Sequence, residues 1–337
     1  MINRLFRVLF STVIILAAAL PAQARKLDVV ASIKPVHSLV QSVMGSEGEA
    51  SLLLDSALDP HIFRMRPSDI RKVVDADVLF YVDTKLETFL ESIVDNDRHK
   101  VKAVALSGAK NLKLLPYRTS KIWFTEENED HEGHDHEEMD LHIWLDPENA
   151  IQMVRMIEET LSELDPDNRV TYIRNSKLVI KRLYELKDRL REDLRPYRNK
   201  PIMIYHDAFQ YFEKAFSLYS VGAIQLKADS PPSAKHLKAL KRIAKEKNVT
   251  CVLGTPGAHP RIATVVMGDT SANYDVIDPL GVYLEPGANL YMELIEEIAL
   301  TIEDCQAGGG KIFDINPSLK EDAPAPDLDS QEGLPPQ

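Results

Sequence analysis

Three histidines are the side chains of this sequence best suited to chemistry. His61 lies in LDPHIFRMRPSD, His142 in MDLHIWLDPENA and His206 in IMIYHDAFQYFEKAF. Neutral imidazole is the commonest side-chain ligand for zinc and related metals. Each of the three stands beside a predicted helix start or strand end, where a fold can bring distant parts of the chain together. We therefore predict one metal site that the three imidazoles share.

A second candidate is the acidic, histidine-rich segment EENEDHEGHDHEEMDLH over residues 126–142. Nine of its residues are Asp or Glu and none is Lys or Arg, which predicts a mobile loop. We expect His131, His134 and His136 to bind further metal ions weakly, because ordering such a loop costs conformational entropy. A solvated acidic linker that holds no metal is the alternative.

Asp278 is the candidate for a fourth ligand, because it ends the predicted strand YDVID. The alternative is that this carboxylate only caps the Asp-Pro turn. Three imidazoles with one carboxylate or one water favour four-coordinate zinc. Cu(II) stands above zinc in the general affinity series, so the ligand set by itself does not select the metal.

The first 24 residues have the pattern of a secretory signal peptide. Two arginines precede an apolar run over 8–20, and the AQA sequence that ends at Ala24 is typical of a cleavage site. The apolar run is shorter than the ~20 residues of a membrane-spanning helix. We expect cleavage after Ala24 and export of the mature chain, with an uncleaved anchor helix as the alternative.

The charge of the chain restricts its partners. There are 40 Lys and Arg against 52 Asp and Glu, a net charge of −12. Removing the signal segment takes away two positive charges and no negative ones, which moves the net charge to −14. Such an acidic chain argues against nucleic acid and anionic lipid as partners, and suits a protein that handles cations.

The cysteine content indicates an oxidising compartment. Cys251 and Cys305 are the two cysteines, and an even number in an exported chain is most simply one disulfide. A free pair, or a pair of metal thiolates, is the alternative.

Short apolar runs alternate with helical patterns along the first part of the chain. This alternation is typical of βαβ units, and continuous apolar runs are typical of the buried strands of a parallel sheet. We predict strands over 27–33, 51–55, 78–83 and 101–106, and helices over 35–44, 66–74 and 86–94. The segment 116–141 interrupts this pattern, and Asp146-Pro147 then begins the next helix.

The second part of the chain repeats the alternation after a long helical pattern over 167–194, which predicts a rigid connector between two lobes. We predict strands over 202–205, 250–254 and 274–278, and helices over 208–216, 230–247, 261–267 and 291–305. The predicted organisation is a signal peptide 1–24, an N-terminal lobe 25–165, a connecting helix 166–196, a C-terminal lobe 197–305 and a disordered tail 306–337.

The predicted elements place the histidines at one kind of position. In open parallel sheets, ligands bind beyond the carboxyl ends of the strands. His206 directly follows a strand, and His61 lies in a strand-to-helix turn of the other lobe. A metal that both residues hold would therefore lie in the cleft between the lobes.

The segments HIFRMRPSD, LHIWLDPENA, YHDAFQYFEKAF and DPLG together give the chain a resemblance to a known family. It resembles the periplasmic zinc-binding receptors of ABC-type zinc uptake systems, the ZnuA-like branch of the metal-binding solute receptors. The similarity runs from SIKPVHSLV through Cys305. The resemblance implies an α/β fold of two (βα) lobes with mainly parallel sheets, joined by a long backbone helix.

The resemblance also implies a ligand set and a disulfide. The metal would lie in the interlobe cleft on His61, His142 and His206, with Asp278 as the fourth or a nearby carboxylate. Cys251 and Cys305 match the disulfide of the C-terminal lobe in this branch.

The implied function is that of a carrier. The mature protein would be a periplasmic monomer, not an enzyme, that captures Zn(II) and delivers it to an ABC permease in the inner membrane. A secreted three-histidine zinc hydrolase is one alternative, but the sequence lacks HExxH and shows no other obvious general base. A metal-binding adhesin is another, although it would normally need a surface anchor, and no cysteine for a lipid anchor follows the cleavage site.

Overall fold

Two four-stranded parallel sheets form the frame of the molecule, as the predicted α/β fold requires. The computed structural model describes residues 26–55, 58–96, 98–118, 139–225 and 231–309. The predicted signal peptide, the histidines at 131, 134 and 136, and the tail beyond residue 309 lie outside these ranges. Among the described residues, no helix is both long and apolar enough to cross a membrane.

The N-terminal lobe is built on a sheet with strand order β2-β1-β3-β4. Its strands are β1 Val29–Ile33, β2 Ser51–Leu54, β3 Val78–Tyr81 and β4 Lys102–Ala105. Its helices are α1 Lys34–Met44, α2 Pro67–Asp75, α3 Glu91–Val94 and α4 Pro147–Leu164. All residues of β1 and β3 are buried, because helices and loops cover both faces of a parallel sheet.

Helix α5, Arg169–Asp193, connects the two lobes. Its 25 residues span about 37 Å at 1.5 Å per residue. It packs against α1 and α4 of the N-terminal lobe and against α9, Leu290–Ala307, of the C-terminal lobe. Its buried face recurs at helical spacing through Tyr172, Val179, Leu183, Leu186 and Leu190.

The C-terminal lobe repeats the design with strand order β10-β9-β7-β8. Its strands are β7 Pro201–His206, β8 Tyr219–Gln225, β9 Cys251–Gly254 and β10 Asn273–Val276. Its helices are α6 Gln210–Phe216, α7 Ala234–Glu246, α8 Pro260–Met267 and α9 Leu290–Ala307. Disulfide Cys251–Cys305 joins β9 to α9 with the Cα atoms 5.7 Å apart, which confirms the predicted disulfide.

Two further strands close the base of the acidic, histidine-rich segment. β5 Leu115–Pro116 and β6 Met139–Asp140 pair in antiparallel fashion. Pro116 and Met139, on either side of residues 117–138, are therefore held side by side, which the sequence pattern did not predict. Two-residue strands of mixed polarity carry no period-2 signal from which they could be read.

The remaining differences from the predicted elements have local causes. Strand β8 was missed because its YSVGAIQ sequence mixes polar and small residues, and it lies at the sheet edge, paired only with β7. The predicted helix over 86–94 is a 3-10 turn followed by the short α3. Helix α7 begins after Ser233, whose side chain accepts the N–H of His236 at 3.2 Å. Helix α9 continues two residues beyond the expected end at Cys305.

One hydrophobic cluster extends through both lobes. It contains residues of β1, α1, α4 and α5 as well as β7, α6, β9 and α9. Two smaller clusters cover the opposite face of each sheet. The lobes therefore share a core, and this core fixes the positions of the strand ends that meet at the cleft.

Candidate metal centre

The fold brings the three predicted histidines together. One ligand nitrogen from each of His61, His142 and His206 lies within 4.8 Å of the others. The ring centroids are 5.3 Å apart for His142 and His206, 5.6 Å for His61 and His142, and 6.0 Å for His61 and His206. Imidazoles at these separations are close to the arrangement that a single tetrahedral ion requires.

Each histidine is placed by a different local structure. His206 is the last residue of β7, at the carboxyl end of a central strand. His61 lies in the turn between β2 and α2, where its backbone N–H is donated to Oδ1 of Asp59 at 2.9 Å. His142 immediately precedes a 3-10 turn that leads into α4. Two ligands therefore come from the N-terminal lobe and one from the C-terminal lobe.

Burial keeps two of these imidazoles neutral. Desolvation, with a smaller contribution from His142, lowers the pKa of His61 from 6.5 to about 4 and the pKa of His206 to about 3. The Nε2 atoms of both residues are buried and have no hydrogen-bond partner within the described part of the chain. Leaving a buried polar atom unpaired is costly. Neutral imidazole nitrogens that lie close together, and that are unpaired among the described residues, are ligands suited to a cation.

His142 is oriented by Asp140, a residue that the sequence reasoning counted only among the loop carboxylates. The Nδ1 of His142 lies 2.8 Å from Oδ1 of Asp140, which also accepts the backbone N–H of His142 at 3.0 Å. Gln210 donates to Oδ2 at 3.2 Å. A carboxylate on Nδ1 fixes the tautomer that leaves Nε2 as the metal-binding atom. The Asp-x-His spacing of Asp140 and His142 is the sequence signal that could have identified Asp140.

The charge of Asp140 suits this role. Burial acts to raise the pKa of Asp140, but the charge and hydrogen bonds of His142 outweigh it and lower that pKa. The carboxylate is therefore ionised and can strengthen the basicity of the imidazole that it holds.

The base of the histidine-rich segment is fastened to α6, the helix that follows His206. The guanidinium of Arg118 donates to Oε1 of Glu213 at 2.9 Å, and its Nε lies 3.5 Å from Oδ1 of Asp207. The hydroxyl of Tyr211 donates to the backbone carbonyl of Asp140 at 2.6 Å. Arg118 and Asp140, which stand on either side of residues 119–138, are thus both anchored beside the histidine cluster.

Asp278 lies beside the cluster and is not part of it. It lines the same cavity as His142 and His206, of about 330 Å³. Its Oδ1 accepts the N–H groups of Leu280 and Gly281 at 2.9 and 3.1 Å, and its Oδ2 that of Val282 at 2.5 Å. The carboxylate therefore stabilises the turn after β10, the role that the Asp-Pro sequence offered beside that of a fourth ligand.

Asp59, unlike Asp278, is among the charges that shift the pKa of the clustered histidines. It lines the cavity with His142 and His206, and its charge acts to raise the pKa of both His61 and His206, against the larger effect of burial. Sequence reasoning did not single it out, although it stands two residues before a predicted ligand.

Comparison with known proteins places the chain among zinc-uptake proteins. Residues 29–305 match the family model described as "Zinc-uptake complex component A periplasmic". The high-affinity zinc uptake system protein ZnuA of Brucella abortus is 33% identical, over 82% of this chain and 91% of the relative. The protein of the same name from Paracoccus denitrificans is 32% identical, over 86% of this chain and 94% of the relative.

A solved structure shares the fold. The Zn(II)-bound ZnuA-like domain of Streptococcus pneumoniae AdcA superimposes with a TM-score of 0.65 at 25% identity, covering 83% of this chain and 99% of that domain. The match of the family model extends over most of the described chain, through both lobes and all three histidines. The chain belongs to the family of periplasmic A components of zinc-uptake complexes.

Proposed function

We propose that this protein is a periplasmic receptor that captures Zn(II) in the interlobe cleft and delivers it to an ABC permease. The observation that carries the proposal is the cluster of His61, His142 and His206. The Nε2 atoms of His61 and His206 are buried and make no hydrogen bond to any residue that the structure describes. The zinc-uptake function named for the relatives supports it. We also propose that the receptor acts as a monomer.

Capture follows from the state of the imidazoles. Zinc needs deprotonated nitrogen ligands, and the lowered pKa of His61 and of His206 leaves these rings neutral in mildly acidic solution. Three histidines leave one coordination position of a tetrahedral ion for a water or for the carboxylate of Asp59. Because His142 and His206 line the cavity, an ion held by the cluster would be accessible from it.

The acids around the cluster favour a carrier over a hydrolase. A zinc hydrolase needs a general base beside the metal-bound water. Asp140 is held by His142, Asp207 lies against Arg118, and Asp278 accepts three backbone N–H groups. Oδ1 of Asp59 accepts the backbone N–H of His61. These side chains hold the site in shape.

Alanine at any one of the three histidines should greatly weaken zinc binding. Loss of a residue that only hydrogen-bonds to a metal ligand typically costs ~10–100-fold in metal affinity. We expect a larger loss for His61→Ala, His142→Ala and His206→Ala, because each substitution removes a ligand atom. Competition titration against a chelating dye measures it. His99→Ala is the matched control, since His99 bonds locally to the carbonyl of Ile93. Wild-type affinity in all three variants would refute the site.

Asp140 and Asp278 should respond differently to the same substitution. Asp140→Asn removes the charge behind His142 and is expected to weaken zinc binding ~10–100-fold. Asp278→Asn should weaken binding less than Asp140→Asn does, because the carboxylate of Asp278 faces backbone N–H groups and not the histidines. The two variants are isosteric and can be titrated side by side. The reverse order of effects would make Asp278 the ligand.

The metal-free protein should lose stability in mild acid. Its folded state holds His61 and His206 with a lowered pKa, so the unfolded chain binds more protons below pH 6.5. The stability is complete above pH 6.5 and falls toward pH 4, by up to about 1.4 kcal/mol per pH unit for each histidine. Urea unfolding in chelator at pH 7 and pH 5 measures this change. His61→Gln/His206→Gln should flatten the dependence, whereas His99→Gln should not; equal slopes in all three proteins would contradict the assignment.

Deleting 126–138 should remove weak zinc equivalents and keep the tight site. His131, His134 and His136 are proposed to bind ions loosely, whereas Asp140, which orients His142, stays in place. Calorimetry on both proteins should show a lower total stoichiometry with an unchanged tight phase. Loss of the tight phase would mean that the deleted segment supplies a ligand to the cleft.

A further inference from the structure

A groove on the C-terminal lobe carries a concentration of positive charge that the acidic composition does not predict. It has a volume of about 460 Å³ and lies between α7 and the turn that follows α8, on the sheet face opposite the shared core. Its charged lining is Lys235, Lys238, Lys241, Arg242, Lys245 and Asp269. Five positive side chains therefore face one negative side chain, in a chain whose net charge is −12.

The helical spacing places these charges in one stripe. Lysines 235, 238, 241 and 245 recur every three or four residues on α7, so they lie on one face of the helix, and all are exposed. Like charges at this spacing repel one another. On the helix itself Arg242 lies near Glu246, at 3.7 Å. An anionic segment along the stripe would relieve the repulsion.

The groove has a floor as well as a charged edge. Ala239 and Met267 contribute apolar surface to it. Gly268 has φ +54°, and a Cβ there would lie 2.3 Å from Cε of Lys241. The turn therefore passes directly under the lysine stem, and the surface is concave and partly apolar, unlike an ordinary solvated helix face.

The chain itself contains an acidic segment of matching character. Residues 310–337 contain six Asp or Glu and two Lys. Five of the six acids fall within 321–332, EDAPAPDLDSQE, which has no Lys or Arg and alternates acids with Ala, Pro and Leu. Its charge complements the stripe, and its apolar residues suit the floor.

Helix α9 ends at the same edge of the sheet as α7, beside the residues that begin β9 and β10. Near the end of α9, Gln306 accepts a hydrogen bond from Thr250 at 2.6 Å, and the carbonyl of Cys305 accepts one from Asn273 at 2.7 Å. Thr250 is five residues from Lys245, and Asn273 is three residues from Thr270. Residues 310–320 can span up to about 36 Å, and the 13 residues of α7 extend about 20 Å. The acidic stretch 321–332 can therefore reach the groove and follow its whole length.

We propose that the acidic stretch 321–332 binds in the α7–α8 groove of its own chain, with its carboxylates against the lysine stripe. Because the stretch is tethered, its effective concentration at the groove is on the order of millimolar, so weak contacts suffice. The attraction between exposed charges is screened, and at about 1 M salt the Debye length is ~3 Å. Occupancy should therefore fall as salt is added.

Zero-length carbodiimide cross-linking of the full mature chain tests this directly. It joins lysine amines to carboxylates that touch them, and mass spectrometry locates the links. A mixture of ¹⁴N and ¹⁵N protein separates links within one chain from links between copies. The expected result is intrachain links from the α7 lysines to 321–332 at low salt, reduced on the order of tenfold at about 1 M salt because of screening.

Charge reversal supplies the controls. Lys241→Glu/Lys245→Glu should abolish the links, and adding Glu321→Lys/Asp322→Lys should restore them with reversed polarity. Lys177→Glu/Lys181→Glu, an equal charge change at exposed positions of α5, should leave them unchanged. Links between copies would assign the groove to a second molecule. That result would overturn the proposal. So would the absence of links to 321–332, or links to Lys177 and Lys181 that are as frequent as those to the α7 lysines.

Discussion

The burial of neutral imidazoles at the junction of two lobes is the constraint on which the rest of the site depends. His61 and His206 come from different lobes, and both keep Nε2 buried without a hydrogen bond in the described part of the chain. Desolvation lowers the pKa of each ring, so neither needs to lose a proton before it binds a cation near neutral pH. The free energy lost by leaving these nitrogens unpaired must be offset by packing elsewhere.

That packing is the core shared between the lobes, supported by hydrogen bonds across their junction. Lys34, buried at the start of α1, donates to the carbonyls of Val282 and Leu284 at 2.9 and 3.0 Å. The indole of Trp144 donates to the carbonyl of Pro279 at 2.8 Å. Both contacts hold the turn after β10, whose backbone N–H groups also bind the carboxylate of Asp278. This turn is therefore tied to the N-terminal lobe, although its sequence belongs to the C-terminal lobe, and the cavity wall keeps its shape.

The surrounding carboxylates have separate tasks. Asp140 orients His142, Asp207 lies against Arg118 behind His206, and Asp278 closes its turn. Burial raises the pKa of Asp207 to about 7, with Arg118 opposing the shift. An acid already committed to a cation or to backbone N–H groups is less available as a metal ligand. The role of each acid therefore depends on the groups around it, and it cannot be read from the residue type alone.

The sequence by itself predicted most of the helices and strands and the three histidines that the fold brings together. Continuous apolar runs predicted most of the parallel strands, the helical period predicted α4 and α5, and three histidines at strand or helix ends predicted the cluster, because these signals are local. The sequence could not predict β8, whose polarity is mixed, or the β5–β6 pair, which is held through α6. It also left Asp278 open between ligand and turn cap, and it did not separate Asp140 from the other loop acids. Only the tertiary structure decided these strands and the hydrogen-bond partners of Asp140 and Asp278. The reason is that the partners of a carboxylate depend on which donors the fold places within hydrogen-bonding distance.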